Sequence, residues 1–449
     1  MGRPRLDAVD ANREEDMGRR HVMGALGAGR AVRALLTIAG ALTLTCPLFA
    51  EDWPQFRGPT GQGVSSETGL PTRWSTDSGV AWSTPIPGWG WSSPVVRGDR
   101  VFLTTATAEG RSFRLLCLDR TTGTLRWNRE VFQQGLDSRL QEGNSYATPT
   151  PVADDEHVFV LAFDGSLAAV ANDGTVAWTN RDFHYYSQHG IATSPRLFGD
   201  LLVVAFDPSS PGEDKKVGWQ KPWDKSFVLA LDKATGKVRW KGDRGLSRIG
   251  HVTPILTHEG DREVLVSGAG DVVQGFDLAT GERLWTAHSQ GEGVVPSVVV
   301  GDGMVYTASG FEEPAIRAVR TGGRGDVTDT HIAWEQTRAV PMLPSFLYVA
   351  PHLFTINEGG IALCLGAKTG EILGRRRIGG NHSASPVYAE GRIYFLSEAC
   401  ETTIVEATPE MPPVATNALP GTCKASLAPS GGHLFLRTDS TLYCLGRRP

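Results

Sequence analysis

The stretch FVLALDKATGKVRW, residues 227–240, indicates the fold of this chain. It contains an apolar strand, a turn closed by Gly236, and a second strand that ends on Trp240. Four further stretches repeat this arrangement: 115–127, 167–178, 272–285 and 363–374. All but the last carry a tryptophan four residues after the glycine. A pattern that recurs along a chain in this way predicts an array of small, similar sheets.

A second marker, a serine or threonine beside a proline, opens the apolar strand that begins each repeat. It occurs eight times, the last copy being a variant: Ser93-Pro94, Thr150-Pro151, Ser194-Pro195, Thr253-Pro254, Pro296-Ser297, Pro344-Ser345, Ser385-Pro386 and Ser426. Proline is tolerated at a strand start, where no ladder donor is lost. The spacing is about 44 residues per repeat, which fits a four-stranded blade. We therefore predict an all-β, eight-bladed β-propeller.

The last repeat is incomplete, and the missing strand is found at the other end of the propeller sequence. The chain runs out soon after Leu445 without an outer strand, whereas a spare strand, Gly79–Trp82, precedes the first repeat. We expect this N-terminal strand to close the ring on the last blade, because closure removes exposed sheet edges. The predicted propeller covers residues 79–449, preceded by an N-terminal extension over residues 51–78.

One tryptophan per blade is expected to wedge between neighbouring blades, since an indole buries a large area and its N–H needs a partner. These predicted structural residues are Trp82, Trp127, Trp178, Trp240, Trp285 and Trp334. Blades 6 and 7 depart from the pattern. Gly374 stands where blade 6 should carry its tryptophan, and blade 7 ends in a proline-rich stretch, residues 406–421.

The first fifty residues have the pattern of a secretory signal peptide. Arg30 and Arg33 precede a short apolar run, residues 34–46, and the small residue Ala50 follows. This order of charged, apolar and small residues marks a segment that is removed on export, so we predict a secreted or periplasmic protein. The run is too short to span a bilayer comfortably, and no later segment is better suited, so we predict no transmembrane span.

Two features of this leader, its start and its cysteine, have alternative interpretations. Residues 1–22 include acidic side chains that suit no signal peptide, which makes Met17 and Met23 alternative starts of translation. Cys46 is a candidate lipid-anchor site, but the residues ahead of it, 43–45, fit a lipidation motif poorly. We therefore expect a Sec-type signal without a lipid anchor.

The net charge indicates which partners to expect, and the positions of the cysteines indicate which of them are buried or can pair. The net charge is −5, so no basic face for nucleic acid is expected. Three cysteines share one repeat position and are predicted to be buried small apolar residues: Cys117, Cys364 and Cys444. Cys400 and Cys423 lie outside that position, and in an oxidising compartment they either pair or stay free.

The repeated strings, with Asp, Thr-Gly and Trp at fixed spacing, resemble the PQQ-type (quinoprotein) repeat over residues 79–449. Propellers of this class include quinoprotein alcohol dehydrogenases and BamB-type outer-membrane assembly proteins. Two further stretches, residues 52–63 and 320–334, are similar to secreted PQQ-like repeat proteins of the planctomycete type.

The two branches of this resemblance imply different functions. A dehydrogenase would hold pyrroloquinoline quinone over Ca²⁺, with a catalytic Asp and a pair of adjacent cysteines. This sequence contains no Cys-Cys, and no residue set of that metal site can be matched. We therefore expect no catalytic residue, no metal and no cofactor, with quinone and Ca²⁺ as the alternative. The BamB branch implies a scaffold for a protein partner in the cell envelope, and polysaccharide binding is a third hypothesis.

Segments that lead into the inner strands should ring one mouth of the central funnel. The candidate binding residues there are Trp91, Tyr146, His189, Arg248, His251, His382 and Lys424. The histidines either contact a ligand, since neutral imidazole is a versatile polar group, or cap their own blades by bonding backbone carbonyls. The longest insertion, residues 206–225, adds Trp219 and Trp223, which either bind a ligand or fold back on the blade. The Arg-Gly-Asp at 324–326 is expected to shape a wide turn.

Overall fold

The computed structural model describes residues 51–447, and these form an eight-bladed β-propeller, as predicted. The signal peptide expected over 1–50, with Met17, Met23 and Cys46, lies outside the described residues. The first strand, β1 (Val80–Pro85), belongs to the last blade. Within residues 51–447, no helix has both the length and the apolar character that a membrane span requires.

Blades 1 to 4 follow one another along the chain, each with its strands in sequential order. Blade 1 contains β2 (Val95–Arg97), β3 (Arg100–Thr107), β4 (Ser112–Asp119) and β5 (Leu125–Gln133). Blade 2 contains β6 (Val152–Ala153), β7 (His157–Leu161), β8 (Leu167–Ala171) and β9 (Val176–Asn180). Blade 3 contains β10 (Arg196–Phe198), β11 (Leu201–Phe206), β12 (Phe227–Asp232) and β13 (Val238–Asp243). Blade 4 contains β14 (Ile255–Glu259), β15 (Arg262–Ala269), β16 (Val272–Asp277) and β17 (Arg283–His288).

Blades 5 to 8 repeat the arrangement with two additions. Blade 5 contains β18 (Val299–Gly301), β19 (Met304–Ala308), β20 (Ile316–Arg320) and β22 (Ile332–Gln336). Its third connection holds β21 (Gly325–Asp326) and a single helical turn, α1 (Thr328–His331). Blade 6 contains β23 (Leu347–Val349), β24 (His352–Ile356), β25 (Ile361–Gly366) and β26 (Ile372–Arg377). Blade 7 contains β27 (Val387–Ala389), β28 (Arg392–Leu396), β29 (Glu401–Glu406) and β30 (Pro413–Ala418). Blade 8 contains β31 (Ala428–Ser430), β32 (His433–Arg437) and β33 (Thr441–Leu445).

The N-terminal strand closes the ring, as the sequence predicted. Strand β1 pairs antiparallel with β33, so that Trp82 lies opposite Cys444. Blade 8 is thereby built from both ends of the propeller sequence, and its fourth strand comes from residues that precede blade 1. This arrangement leaves the two ends of the ring joined through a complete sheet rather than through exposed edges.

The hydrophobic core lies between the faces of adjacent blades. In β12, Leu229 and Leu231 pack with blade 2, whereas Val228 and Ala230 pack with blade 4. Successive side chains of a strand point to opposite faces, so a strand buried on both faces is a continuous apolar run. This explains why strands such as β8 and β12 are continuous apolar runs rather than alternating patterns.

Five of the six blade tryptophans join their blade to the next one through the same contact. Their indole N–H groups donate to a backbone oxygen in the β-turn of the following blade, each at 2.9 Å: Trp82 to Arg120, Trp127 to Asn172, Trp178 to Lys233, Trp240 to Leu278, and Trp334 to Ala367. The turn glycine lies under the ring. At Gly281, an added Cβ would be 2.4 Å from Cε3 of Trp240, and the φ angle is +74°. These five indoles therefore lie between neighbouring blades, and the turn requires glycine for both its φ angle and its lack of a side chain.

The joint between blades 4 and 5 differs, although Trp285 is also fully buried there. Its N–H donates to Oε1 of Glu259 in its own blade, at 2.9 Å. The same oxygen accepts the backbone N–H of Gly322, at 2.8 Å. The long connection of blade 5 thus reaches back, and β21 pairs in parallel with β17 as a fifth strand of blade 4. The wide turn expected at the Arg-Gly-Asp is therefore wrong in part, because Gly325 and Asp326 form this added strand and Arg324 precedes it.

Blade 6 carries Gly374 because the next blade already fills the space of an indole. A Cβ on Gly374 would lie 1.7 Å from the backbone oxygen of Pro409, which belongs to the proline-rich stretch of blade 7. The three cysteines at the shared repeat position are buried and free, as predicted. Cys400 and Cys423 form a disulfide, which links blade 7 to the segment entering blade 8.

Candidate functional site: a central funnel closed at one end

The eight serines and threonines of the proline markers form a continuous hydrogen-bonded ring around the propeller axis. Each backbone N–H donates to the side-chain hydroxyl oxygen of the next blade: Ser93 to Thr150 (2.9 Å), Thr150 to Ser194 (3.0 Å), Ser194 to Thr253 (3.1 Å), Thr253 to Ser297 (3.1 Å), Ser297 to Ser345 (3.0 Å), Ser345 to Ser385 (3.1 Å), Ser385 to Ser426 (3.0 Å) and Ser426 to Ser93 (3.0 Å). The ring satisfies one buried N–H per blade and fixes the width of the channel.

The N-terminal segment, residues 51–66, runs across one face of the propeller. It contacts the first strands of blades 1, 2, 5 and 7 by hydrogen bonds: Trp53 with Val96, Pro54 with Ala153, Gln62 with Val300, and Gly63 with Tyr388. Contacts with opposite sides of the ring place this segment over the channel. One end of the channel is therefore closed by residues that precede the first strand.

Arg57 anchors the closing segment from within. Its side chain is buried and donates to the backbone oxygens of Gln62 and of Phe346, at the start of blade 6. Burial, together with the neighbouring Arg196 of blade 3, lowers the pKa of Arg57 to about 9. A guanidinium held by carbonyl oxygens alone is a costly arrangement, and it shows that this segment is fixed in the core rather than laid on the surface.

The opposite end opens into a cavity of about 550 Å³, which we call the funnel. Phe56 of the closing segment lines its inner end, and the eight hydroxyls of the ring surround it. The mouth is formed by the segments that lead into the inner strands and by connections between second and third strands. This position matches the mouth expected from the sequence.

Four of the seven predicted rim residues line the funnel: Trp91, His189, His251 and Lys424. The other three do not. Tyr146 packs edge-on against Phe163 and lies outside the funnel wall. Arg248 is buried in ion pairs with Asp271 (2.6 Å) and Glu312 (2.8 Å), where it holds two connections together.

His382 has the capping arrangement that was the alternative for the histidines. Its ring nitrogens lie 3.1 Å from the backbone oxygen of Leu396 and 2.8 Å from that of Gly379. The side chain is fully buried, and this burial lowers its pKa. Each ring nitrogen therefore faces a backbone carbonyl oxygen of its own blade, and the neutral imidazole donates its single N–H to one of them.

His251 differs from His382, because its Nδ1 has no hydrogen-bond partner among the described residues. It lies edge-on to His189, with ring centroids 6.5 Å apart, and His189 lies edge-on to Trp219 at 5.5 Å. Burial and the neighbouring His189 lower the pKa of His251 to about 3, so its imidazole is neutral at pH 7. These rings form one continuous aromatic side of the funnel mouth.

The long insertion of blade 3 folds back towards the funnel. Trp219 covers His189, and Trp223 exchanges two backbone hydrogen bonds with Ser247, both at 3.0 Å. Both indoles are half-buried. The insertion thus contributes to the rim, although neither tryptophan is among the residues that line the cavity itself.

Sequence reasoning missed several wall residues. Phe56 was not recognised because its segment precedes the repeats, and only the fold brings it to the axis. Phe311 and Glu398 lie in connections without a repeated pattern. The ring hydroxyls were identified as strand markers, but their spacing gave no sign that they face a cavity.

The wall does not fit a quinone held over a metal ion. Among residues 51–447, no group of three or more His, Cys, Asp or Glu side chains is placed to bind a metal. Three carboxylates line the funnel, Glu142, Glu292 and Glu398, and Glu398 already contacts Lys424 at 3.6 Å and accepts a hydrogen bond from Ser383. Ca²⁺ requires six to eight oxygen ligands, and the funnel assembles no such set from its acidic side chains.

Several solved structures are similar to this fold. No curated protein matches the sequence. BamB from Moraxella catarrhalis has a similar structure, with a TM-score of 0.56 and 14% identity over 82% of this chain and 97% of that one. The computationally designed protein Ika8 gives a TM-score of 0.57 and 13% identity over 81% and 98%. A europium-containing methanol dehydrogenase gives only 0.44 and 13% over 79% and 89%, and no functional argument follows from it.

These structural similarities concern the fold alone, because the sequence identities are low. The family is decided by the sequence itself, which matches the family described as "Outer membrane protein assembly factor BamB" over residues 66–213 and 224–448. The two matched ranges include every blade and most of the chain. This protein is therefore a PQQ-like β-propeller that belongs to the BamB family.

Proposed function

We propose that this protein is a non-catalytic scaffold of the cell envelope that binds a protein partner through its open face. The proposal rests on the difference between the two faces of the propeller. One face is closed by residues 51–66, whereas the other presents the funnel mouth and its surrounding connections. The family name, which refers to outer-membrane assembly, supports a protein partner in the envelope.

Exposed apolar side chains on the open face support the same proposal. Leu246 is 68% exposed in the segment entering blade 4, and Phe311 is 51% exposed in the connection from β19 to β20. Trp89, in the segment entering blade 1, is 40% exposed. In an antiparallel blade, the segment before the first strand and the connection from second to third strand lie at the same end. Large apolar groups around one mouth are typical of protein-binding surfaces.

Site-specific photo-crosslinking tests this proposal. A photoreactive amino acid at Leu246 or Phe311 should give a discrete crosslinked protein in envelope extracts. The same probe at Leu125 or Val238, which are similarly exposed on outer strands, serves as the matched control. Crosslinks that are equally abundant at all four positions, or absent from both open-face positions, would contradict binding through this face.

We also propose that the protein works without pyrroloquinoline quinone. The absence of a suitable ligand set among the described funnel residues supports this view. The purified mature chain, mixed with the quinone and Ca²⁺, should show no change in quinone absorbance and no alcohol- or sugar-dependent dye reduction. Saturable binding accompanied by turnover would restore the dehydrogenase hypothesis.

Export to the envelope is part of the proposal and rests on residues 1–50 of the sequence. Cleavage after Ala50 would leave Glu51 as the first residue. Peptide mass spectrometry of the protein from fractionated cells should therefore find an N-terminus at Glu51 in the envelope or medium. An intact leader in the cytoplasmic fraction would contradict this assignment.

A further inference from the structure

The funnel has the properties of a site for a small molecule, separate from the surface proposed for a protein partner. It is closed at its inner end by Phe56 and the rest of the closing segment, and it opens only at the mouth. Its volume of about 550 Å³ lies within the range of pockets that bind small ligands. A ligand would be surrounded on all sides but one.

Three buried polar atoms of wall residues have no hydrogen-bond partner among the described residues: Nε1 of Trp91, Nδ1 of His251 and Oε2 of Glu292. Trp91 is 8% exposed and His251 is 7% exposed, yet neither Nε1 of Trp91 nor Nδ1 of His251 is hydrogen-bonded among the described residues. By contrast, all six blade tryptophans have a partner for the indole N–H. Unsatisfied buried polar groups are costly, so a group that enters the funnel gains by bonding them.

The hydroxyl ring adds further polar groups of neutral character. Each ring oxygen already accepts a backbone N–H from the neighbouring blade. Each hydroxyl hydrogen remains available to donate, since no ring hydroxyl donates to another described residue. The wall therefore offers a circle of neutral donors to a ligand rich in acceptor oxygens.

Charge argues against an ionic ligand. Lys424 is the only lysine or arginine among the described residues that line the funnel, and Glu398 lies 3.6 Å from it. His251 is neutral at pH 7 because burial lowers its pKa. An anion would find no free cation, and a metal cation would find no set of ligands among the described residues. Glu142 and Glu292 also line the funnel, and neither forms an ion pair within residues 51–447, so their carboxylates can accept hydrogen bonds from a ligand. The wall therefore disfavours an anion and suits a ligand that carries hydroxyl donors.

The aromatic rings favour a ligand with both apolar faces and polar edges. Phe56 lies at the inner end, Trp91 in the wall, and Phe311 at the mouth. A pyranose ring has apolar C–H faces and a rim of hydroxyls, so it can pack on these rings while its oxygens meet Trp91, His251 and the ring hydroxyls. We propose that the funnel binds an uncharged saccharide, with Trp91 Nε1 and His251 Nδ1 as polar contacts.

A peptide suits the funnel less well. Extended peptides are bound mainly through the backbone amides of an open strand edge. At the level of the ring, the inward-facing amides are already used between blades, for example from Ser93 to Thr150. This inference does not depend on the protein partner proposed above, because Trp91 and His251, the polar contacts proposed for the sugar, lie in the funnel wall, whereas Leu246 does not. Phe311 at the mouth belongs to both surfaces.

Titration calorimetry on the mature chain tests the proposal. The probes are methyl α-glucoside, methyl β-galactoside, methyl α-mannoside, cellobiose and N,N′-diacetylchitobiose, with glucuronate as a charged sugar and trialanine as a peptide. At least one neutral sugar should bind, and Trp91→Phe, which keeps the ring but removes the N–H, should weaken it about tenfold. His251→Phe should have a similar effect.

Trp89→Phe is the matched control, because Trp89 lies two residues away and outside the funnel wall. It should leave sugar affinity unchanged, and thermal unfolding will show that all variants are folded. Binding of trialanine or glucuronate without any neutral sugar would overturn the proposal. So would the absence of binding to every sugar at 10 mM (about the weakest affinity that the assay detects), or sugar binding that Trp91→Phe and His251→Phe leave intact.

Discussion

Ser426 donates its backbone N–H to the side-chain oxygen of Ser93 at 3.0 Å, across 333 positions of the chain. This contact completes the ring of hydrogen bonds that begins with Ser93 and Thr150. It joins blade 8 to blade 1 beside the axis, while the pairing of β1 with β33 completes blade 8 itself. The propeller is thus closed twice, once by a sheet and once by a side chain.

Ser93→Ala should open this ring at its closing contact. The buried N–H of Ser426 would lose its partner, so we expect the free energy of unfolding to fall by about 1–3 kcal/mol. Urea denaturation of the purified mature chain measures the change. Ser93→Thr is the control, because threonine already supplies the same oxygen in blades 2 and 4, and it should be close to wild type. Equal losses for the two variants would show that the hydroxyl is not the cause.

Trp240→Ala should remove the contact between blades 3 and 4. The ring is 8% exposed, and its N–H donates to the oxygen of Leu278 at 2.9 Å. Truncation of such a large buried side chain costs about 3–5 kcal/mol. Trp89→Ala, at a half-exposed position, is the control and should cost far less in the same denaturation experiment. Similar values for both would mean that the blade tryptophans are not structural wedges.

Gly281 allows a test of the other side of this contact. A side chain there would collide with Trp240, whereas Gly260 has a similar φ angle (+64° against +74°) and nothing within 4 Å of an added Cβ. Gly260→Ala should cost only the backbone strain, about 1–2 kcal/mol. Gly281→Ala should lower the free energy of unfolding by clearly more than Gly260→Ala does. In a double-mutant cycle, the extra cost should shrink when Trp240→Ala is also present, because the collision is gone. Strict additivity would contradict the proposed contact.

His251 should make stability depend on pH. Its folded pKa of about 3 lies below the unfolded value of about 6.5, so between these values the unfolded state binds a proton that the folded state does not. Stability contributed by neutral His251 is therefore complete above about pH 6.5, and falls by up to about 1.4 kcal/mol per unit as the pH drops towards 3.

His251→Phe isolates this effect, since it removes the titrating group and keeps a ring in place. The unfolding free energies of the variant and the wild type are measured between pH 4 and pH 8, at steps of about one pH unit. The wild type should lose more stability than the variant as the pH falls. Parallel curves for the two proteins would show that His251 titrates normally in the folded state.

The features of the fold that repeat along the chain could be predicted from the sequence. The number of blades, the order of strands, the closing strand and five of the six indole contacts all follow from patterns of a few residues that recur along the chain. The buried Cys117 and its two equivalents were predicted for the same reason. Each of these features is local to one blade or to two neighbours, so a short motif is sufficient to specify it.

Sequence patterns predicted less of the site. His189, His251 and His382 occur at similar positions before an inner strand, yet two line the funnel and the third bonds backbone oxygens. Their roles depend on the neighbouring connections, which have no repeated pattern. Trp219 could equally have projected into solvent, and its contact with His189 depends on how an insertion of about twenty residues folds back.

The repeated motif specifies a ring of similar sheets, because each copy encodes an apolar strand that must be buried on both faces. The open end of the channel depends on long-range contacts, because residues 51–66 reach the axis solely through strands far away in the chain, as Arg57 does with Phe346. Burial and hydrogen-bond satisfaction at the funnel depend on groups brought together from all eight blades. A local pattern cannot specify such a site, since no single repeat contains it.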